Sequence, residues 1–198
     1  MSVEAVSLFL ALLAVVAELA TGAGLILAVG GSVSPALRRL RRGVVEAAGP
    51  SALTMAAVVA AVCTAGSLYF SEVADFPPCK LCWYQRYAMY PLVPILGFAA
   101  WKGLAPLRPV ALVVAAFGAS ISIYHILVER GIVTESASCD PTNPCSLIWV
   151  NRLGYLTIPT MALSGFLLIV TLLLVSRAAD RLEPSDMHLE RSDVHGHH

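Results

Sequence analysis

The chain has 198 residues, of which 58% are hydrophobic and only 13% are charged, and its formal net charge is zero. Its mean hydropathy of +0.76 is too high for an ordinary water-soluble domain, and the balanced charge excludes the basic footprint of a nucleic-acid-binding protein. The composition therefore predicts an integral membrane protein.

Five apolar stretches are long enough to cross a bilayer core, which needs about 20 residues. They are residues 6–29, 52–70, 83–100, 110–128 and 155–175. The first has no basic segment before it and no small-residue cleavage site, so we expect a retained span and not a signal peptide. The predicted fold is an all-α bundle of about five transmembrane helices over residues 1–182, followed by a disordered tail over residues 183–198.

Three side chains with possible chemistry fall inside these spans. Glu18 has no partner that the sequence identifies, so we expect a protonated or hydrogen-bonded carboxyl packed against another helix. Cys63 is expected to act as a small buried hydrophobe without a role. His125 lies near the outer end of the fourth span, where an interfacial histidine without catalytic function is the simpler expectation.

The basic residues predict which side of the membrane each loop faces. An arginine cluster in residues 30–50 marks that segment as a cytoplasmic loop. With alternating spans, nine basic residues lie inside and four outside; the inner ones are Arg38, Arg39, Arg41, Arg42, Lys102, Arg108, Arg177, Arg181 and Arg191, and the outer ones are Lys80, Arg86, Arg130 and Arg152. This asymmetry predicts an external N-terminus and a cytoplasmic C-terminus.

Four of the five cysteines fall in the two loops that this topology places outside the cell. Cys79 and Cys82 belong to the loop of residues 71–82, and Cys139 and Cys145 to the longer loop of residues 129–154. The exterior is the compartment in which disulfides form and persist. Residues 146–153, which follow the second pair, are apolar and too short to span, so they are expected to lie along the membrane surface.

The first pair stands where a polar loop enters a long apolar segment. Two prolines before Cys79 prevent the preceding helix from continuing. Cys82 then falls in the first turn of the next helix, where free backbone N–H groups and the helix dipole favour a thiolate. Arg86, four residues later, lies on the same helical face and can reach the oxygens of a molecule that docks against this sulfur.

Two cysteine pairs on one membrane face allow three functions. One is an electron relay, in which electrons enter an accessible pair by thiol–disulfide exchange and leave from the other pair to a lipid-soluble acceptor. The second is a metal site with four cysteine ligands, and the third is a pair of structural disulfides in a non-enzymatic scaffold. Spacing and placement favour the relay and leave the other two open.

The run from Cys79 through Lys-Leu to Cys82-Trp-Tyr-Gln-Arg86, followed by Met-Tyr-Pro91, resembles the signature of the DsbB family of bacterial disulfide-bond formation proteins. The stretch from Cys139 through Asn-Pro-Cys145-Ser to Thr-Ile-Pro159 resembles the family variant called BdbC, whose second pair is closely spaced. A bare Cys-x-x-Cys would be unspecific. The continuation to Tyr-Gln-Arg in a multi-span protein is highly specific.

The resemblance implies an enzyme of the bacterial cytoplasmic (inner) membrane that reoxidises a soluble DsbA-like thioredoxin-fold protein and passes the electrons to membrane quinone, either ubiquinone or menaquinone. By this likeness Cys79 and Cys82 are the quinone-proximal pair. Cys82 would be the thiolate that contacts the quinone, and Arg86 would lie beside it.

The same likeness makes Cys139 and Cys145 the partner-facing pair. Cys139 is assigned to the mixed disulfide with the partner, and Cys145 to exchange with Cys79. The chain departs from the four-helix family core by an added N-terminal span. A relative of vitamin K epoxide reductase is a further alternative, although that family has a different span order and lacks the Tyr-Gln-Arg continuation.

Overall fold

The computed structural model describes residues 2–135, 139–140 and 142–195, with side chains described as far as residue 182. These residues form five helices: α1 (Val3–Val33), α2 (Pro35–Glu72), α3 (Lys80–Lys102), α4 (Leu107–Glu129) and α5 (Ile158–His195). Within the described residues there are no β-strands, only two isolated bridges in the loop before α5. The predicted all-α fold class is confirmed.

Four of the helices, α1, α2, α4 and residues 158–182 of α5, are long and apolar enough to cross a membrane by length and composition. The fifth, α3, has 23 residues but a more polar sequence. Its polar side chains Gln85 and Arg86 are buried inside the bundle, so they do not face lipid. The polar residues of α3 therefore face the interior of the bundle.

Helices α2 to α5 form a four-helix bundle, and α1 packs outside it against α2 and α5. Around the bundle the neighbours are α2, α3, α4 and α5 in turn, with α5 returning to α2. The core contains fully buried Leu92 and Leu96 of α3 and Phe166 and Ile169 of α5. Small residues on the facing helices, chiefly alanines, allow the close helix approach that membrane bundles use in place of a hydrophobic driving force.

The arginine-rich segment predicted as a cytoplasmic loop is helical. α1 ends at Ser34, which is extended as expected before a proline, and α2 starts at Pro35 in the first helical position. The 38 residues of α2 extend over about 57 Å, well beyond a hydrocarbon core of about 30 Å. The loop prediction was wrong because arginine, alanine and leucine are all good helix formers, so the helix continues past the end of its apolar part.

The structure also fixes the start of α3 and the end of α5. α3 begins at Lys80, so Cys82 lies in its first turn, as predicted, and only Cys79 precedes the helix. α5 continues to His195, through most of the segment for which a disordered tail was predicted; residues 196–198 lie outside the described residues. The apolar residues 146–153 form no helix, and Leu147, Ile148 and Leu153 are exposed.

Candidate active site

Cys79 is the residue immediately before the first residue of α3. It is the N-cap, with extended backbone, and its Sγ accepts a hydrogen bond from the backbone N–H of Cys82 at 3.3 Å. The preceding prolines hold the entry to the helix extended. The sulfur at the positive end of the helix dipole is therefore that of Cys79, where the sequence prediction had assigned this advantage to Cys82.

The two sulfurs of this pair are 2.9 Å apart and are not joined by a disulfide. The pKa of Cys79 is lowered, chiefly by the hydrogen bond with the Cys82 thiol and, against the effect of burial, by His125. The pKa of Cys82 is raised, first by its hydrogen bond to Cys79 and then by burial. In this reduced state the lowered pKa favours the thiolate on Cys79, and Cys82 as the sulfur that contacts a quinone stays a prediction.

His125 of α4 lies between the two cysteine pairs. Its Nε2 is 3.7 Å from the Sγ of Cys79 and 3.0 Å from the carbonyl oxygen of Cys145. The side chain is buried. The sequence predicts no catalytic role for His125. The one feature of the sequence that pointed to the site is the position of His125 near the end of its span, on the same side as the cysteine loops.

A buried polar chain supports His125 from the other side. Its Nδ1 is 3.4 Å from Oε1 of Gln85, whose Nε2 donates to Ser122 Oγ at 2.8 Å. Ser122 in turn donates to the carbonyl of Gly118, so its oxygen must accept from the amide and Oε1 must face the ring. Both ring nitrogens thus face hydrogen-bond acceptors, the Gln85 Oε1 and the Cys145 carbonyl oxygen, and Nε2 also lies beside the Cys79 sulfur.

The second pair forms a disulfide between Cys139 and Cys145, with Cα atoms 6.2 Å apart. The loop is held by Glu135, whose carboxylate accepts hydrogen bonds from the backbone N–H of Cys145 and the hydroxyl of Ser146. Cys145 is buried against Cys79, whereas Cys139 is half-buried. Both pairs therefore meet at one end of the bundle, as the predicted topology required.

Two further contacts join the loops that carry the pairs. Asn143 donates from Nδ2 to the carbonyl of Pro77 at 3.3 Å. The ring of Trp149 stacks on Phe76, with centroids 5.1 Å apart, and Phe76 stacks on Phe70 at the end of α2. The second loop is therefore fixed over the first.

A cavity of about 330 Å³ lies beneath this stack, between α1, α2, α3 and α5. Its volume falls in the range of small-molecule sites, and its walls are mostly aliphatic. Cys82 and Arg86 line its outer end, whereas Cys79 does not contribute to its wall. An apolar ring compound in this cavity would meet Cys82 before any other sulfur of the two pairs.

Arg86 is buried and is held by Ser67 of α2. Nε donates to Ser67 Oγ and Nη2 to the Ser67 carbonyl, both at 3.0 Å, and the guanidinium lies 5.2 Å from the ring centroid of Trp83. No carboxylate pairs with Arg86 in the part of the chain that the structure describes. A buried cation without a counter-ion in an apolar cavity favours an acceptor that gains negative charge.

The two remaining candidates within the spans have structural surroundings. Glu18 accepts hydrogen bonds from the hydroxyls of Tyr155 at 2.8 Å and Ser164 at 2.9 Å, which agrees with the hydrogen-bonded carboxyl expected for it. Cys63 is a free thiol in the cavity wall, close to Gly165. Cys63 packs against the main core cluster, whereas the loop cysteines belong to another cluster. No other cysteine sulfur among the described residues is therefore a partner for Cys63.

Two groups of side chains have the donor types and spacing of metal ligands in the described ranges. One is Cys79, Cys82 and His125; the other is Glu135 with Cys139 and Cys145, whose sulfurs are joined in the disulfide. Because a disulfide sulfur is not a thiolate ligand, the four loop cysteines in this state cannot together bind a metal ion.

Comparison with known proteins places this arrangement in a family. Residues 50–176 match the family model described as "Disulfide bond formation protein DsbB". "Disulfide bond formation protein C" of Bacillus subtilis is 46% identical over 114 residues, which cover 57% of this chain and 83% of that protein.

Two relatives extend the same comparison. A "Probable disulfide formation protein" of Oceanobacillus iheyensis is 42% identical over 127 residues, covering 63% of this chain and 88% of its own. The protein of the same description in Deinococcus radiodurans is 40% identical over 132 residues, covering 61% and 85%. No solved structure matches the chain. The match to the family model begins at residue 50, so α1 lies outside it.

Proposed function

The chain belongs to the DsbB family of disulfide bond formation proteins, and from this premise and the site geometry we propose that it is a membrane thiol oxidase that passes electrons from a soluble DsbA-like, thioredoxin-fold dithiol to membrane quinone. In the net reaction the partner dithiol becomes a disulfide, and two electrons and two protons convert the quinone to a quinol. One observation carries the proposal. Cys82 and Arg86, a buried cation that pairs with no carboxylate among the described residues, both face one apolar cavity. Cys79, of the same pair, instead lies in a buried cluster with Cys145 of the second pair.

The second pair is proposed to meet the partner. A partner thiolate attacks Cys139, the more exposed sulfur, and forms a mixed disulfide while Cys145 leaves as a thiolate. Cys145, in the same buried cluster as Cys79, then attacks Cys79 of an oxidised first pair and releases Cys82 as a thiolate. The second thiolate of the partner releases Cys139 and completes the partner disulfide. Cys139 then attacks Cys145, which restores the second disulfide and leaves the first pair reduced. The deeper burial of Cys145, which is 1% exposed where Cys139 is half-buried, supports this order.

The first pair is proposed to deliver the electrons to the quinone. When bound, the quinone supplies a two-electron acceptor whose oxygens become hydroxyls. Cys82 faces that acceptor, and Arg86 stabilises negative charge on its oxygen. The Cys79 thiolate, held by His125, is positioned 2.9 Å from the Cys82 sulfur to close the disulfide of the first pair. The two electrons that the first pair loses when its disulfide forms are the two electrons that the acceptor gains.

The apolar lining of the cavity and the predicted topology together support a location in the bacterial cytoplasmic membrane with both pairs facing outwards. A quinone is confined to the lipid phase, and the cavity lies among membrane-length helices. The exterior is where a partner disulfide persists. A metal-binding protein or an inert scaffold would need neither the apolar cavity nor the buried arginine.

The test is turnover with purified full-length protein, a reduced thioredoxin-fold partner and either ubiquinone or menaquinone, followed by the quinone absorbance. The wild type should reduce quinone in step with partner oxidation, and Cys82→Ala should abolish turnover. Cys63→Ala is the matched cysteine control; it should retain turnover within a few-fold, because Cys63 has no sulfur partner. A fully active Cys82→Ala protein would rule out the relay.

The order of exchange is tested separately by trapping. A reduced partner variant that lacks its second cysteine should accumulate a mixed disulfide with the wild-type chain, because its one thiolate attacks the Cys139–Cys145 disulfide and the thiol that would release it is missing. Mapping the cross-linked peptide should identify Cys139. A partner attached to Cys79 or Cys82 would reverse the assigned order of the pairs.

A further inference from the structure

The acceptor cavity has one wall that the family match does not include. α1 contributes side chains to it between Leu10 and Ala17, and these residues precede the matched region, which starts at residue 50. The shape and entrance of this cavity in the present chain therefore depend on α1.

α1 is fastened to the bundle along the side of α5. Glu18 accepts from Tyr155 and Ser164, and Ser7 accepts from Nε of Arg152 at 3.0 Å. Further in, Gly24 approaches Thr171 so closely that an added Cβ would lie 2.9 Å from its methyl group. Bonded and close-packed contacts along the helix thus close the seam between α1 and α5.

Two close contacts between α1 and α2 lie near the ends of their seam. At the outer end the Leu10 side chain packs on Gly66, where an added Cβ would lie 3.0 Å from it. At the inner end the chain turns at Ser34, and Gly30 packs against Leu37. Between these contacts lie the middle turns of both helices.

The cavity residues in these middle turns are exposed. Val16 of α1 is 62% exposed, and Val58 and Val62 of α2 are 56% and 37% exposed. Cavity residues on the opposite walls, Met89 and Phe166, are 5% and 0% exposed. These valines therefore belong both to the wall of the cavity and to the accessible surface of α1 and α2.

We propose that the gap bounded by Val16, Val58 and Val62, the α1–α2 window, is the opening through which the polyprenyl tail of the quinone enters and lies. The inference rests on the proposed function. The shape of the cavity indicates what enters the window. The window is aliphatic and lies in the apolar part of two membrane-length helices, and the cavity continues from it to Cys82 and Arg86. A linear apolar chain attached to a redox ring fits both ends.

Narrowing the window tests the proposal. Val16→Trp should raise the KM for polyprenyl-tailed ubiquinone or menaquinone about tenfold, with the KM for the same ring without a tail changed less than about twofold. Leu19→Trp is the matched control, because Leu19 is 69% exposed on the same helix and does not line the cavity. It should leave both KM values within about twofold of wild type.

A second pair of variants covers the case in which Val16→Trp does not fold. Val62→Trp should repeat the tail-specific effect, and Leu68→Trp, on the lipid-facing side of α2, should not. Equal KM values for Val16→Trp and Leu19→Trp, or an equal rise for tailed and tail-less quinones, would overturn the window. A wild type that reduces no quinone would instead overturn the proposed function, so the two failures are distinct.

Discussion

At the scale of the residue, the site depends on a few buried side chains that carry or contact charge. His125 lies beside the Cys79 sulfur between the two pairs, and Arg86 places a positive group at the cavity. Each side chain is held by a neutral partner, Gln85 for the histidine and Ser67 for the arginine. A neutral partner orients the arginine and leaves its charge available to an acceptor.

The first residue-scale prediction concerns His125. Because the pKa of Cys79 lies below its ordinary value, its thiolate persists as the pH falls, and protonates only near the lowered pKa. His125→Asn removes one cause and leaves the bond from Cys82, so the midpoint should move to higher pH by roughly one to two units. Thiolate absorbance against pH, in a Cys63→Ala background, measures it; an unmoved midpoint would contradict the role of His125.

The second residue-scale prediction concerns Arg86. Arg86→Ala removes a charged donor worth about 1.5–3 kcal/mol, so the quinone KM should rise about 10- to 100-fold. Thiol exchange between the partner and the second pair should change little. Arg130→Ala is the control, since it removes an equal charge from the exposed end of α4. The role fails if both variants have the same quinone kinetics.

At the scale of the element, helix packing decides where polar groups can be buried. α3 carries buried Gln85 and Arg86, and these polar groups are tolerated because they are turned to α4 and α2. α4 meets α5 closely at Gly118, under the fully buried ring of Phe166. This close approach sets the position of His125, two turns further along α4.

The prediction at this scale follows from the space at two glycines. A Cβ on Gly118 would overlap the ring of Phe166, so Gly118→Ala should cost roughly 1–3 kcal/mol and lower the Tm in detergent. Gly97→Ala, in α3, has no atom within 4 Å of the added Cβ and should be neutral or slightly stabilising. Equal Tm values for the two variants would show that the α4–α5 contact is not close-packed.

At the scale of the whole molecule, charge and redox chemistry imply the same orientation. The arginines of α2 and the ion pair of Arg108 with Asp180 lie at the end of the bundle opposite the cysteines. The positive-inside rule predicts that this end faces the cytoplasm. On this prediction the disulfide faces the exterior, where oxidation persists.

The topology prediction is an external N-terminus and a cytoplasmic C-terminus. Green fluorescent protein fused after residue 198 should fluoresce, and alkaline phosphatase at the same position should be inactive, because only the first folds in the cytoplasm. An epitope placed before residue 1 should be accessible to antibody in intact spheroplasts. Active phosphatase at the C-terminus would reverse the orientation and separate the disulfide from its oxidising compartment.

The amino-acid sequence by itself determined the class of protein, the apolar spans and the presence of two cysteine pairs on one face. These follow from local quantities: hydropathy over about 20 residues, the side on which arginines accumulate, and the spacing of Cys79 and Cys82. The motif that continues to Arg86 was also sufficient to indicate the family, which the comparisons confirm. Helix ends were less well predicted, because a helix continues beyond its apolar part.

Only the tertiary structure decided which sulfur contacts His125 and where the apolar cavity lies. Cys79 and His125 are 46 positions apart in the chain, and Glu18 and Ser164 are 146 apart, so no local pattern connects them. The cavity exists only where α1, α2, α3 and α5 fail to meet. Contacts of this kind depend on which helix faces pack together, and that choice is made by the shapes of all the helices at once.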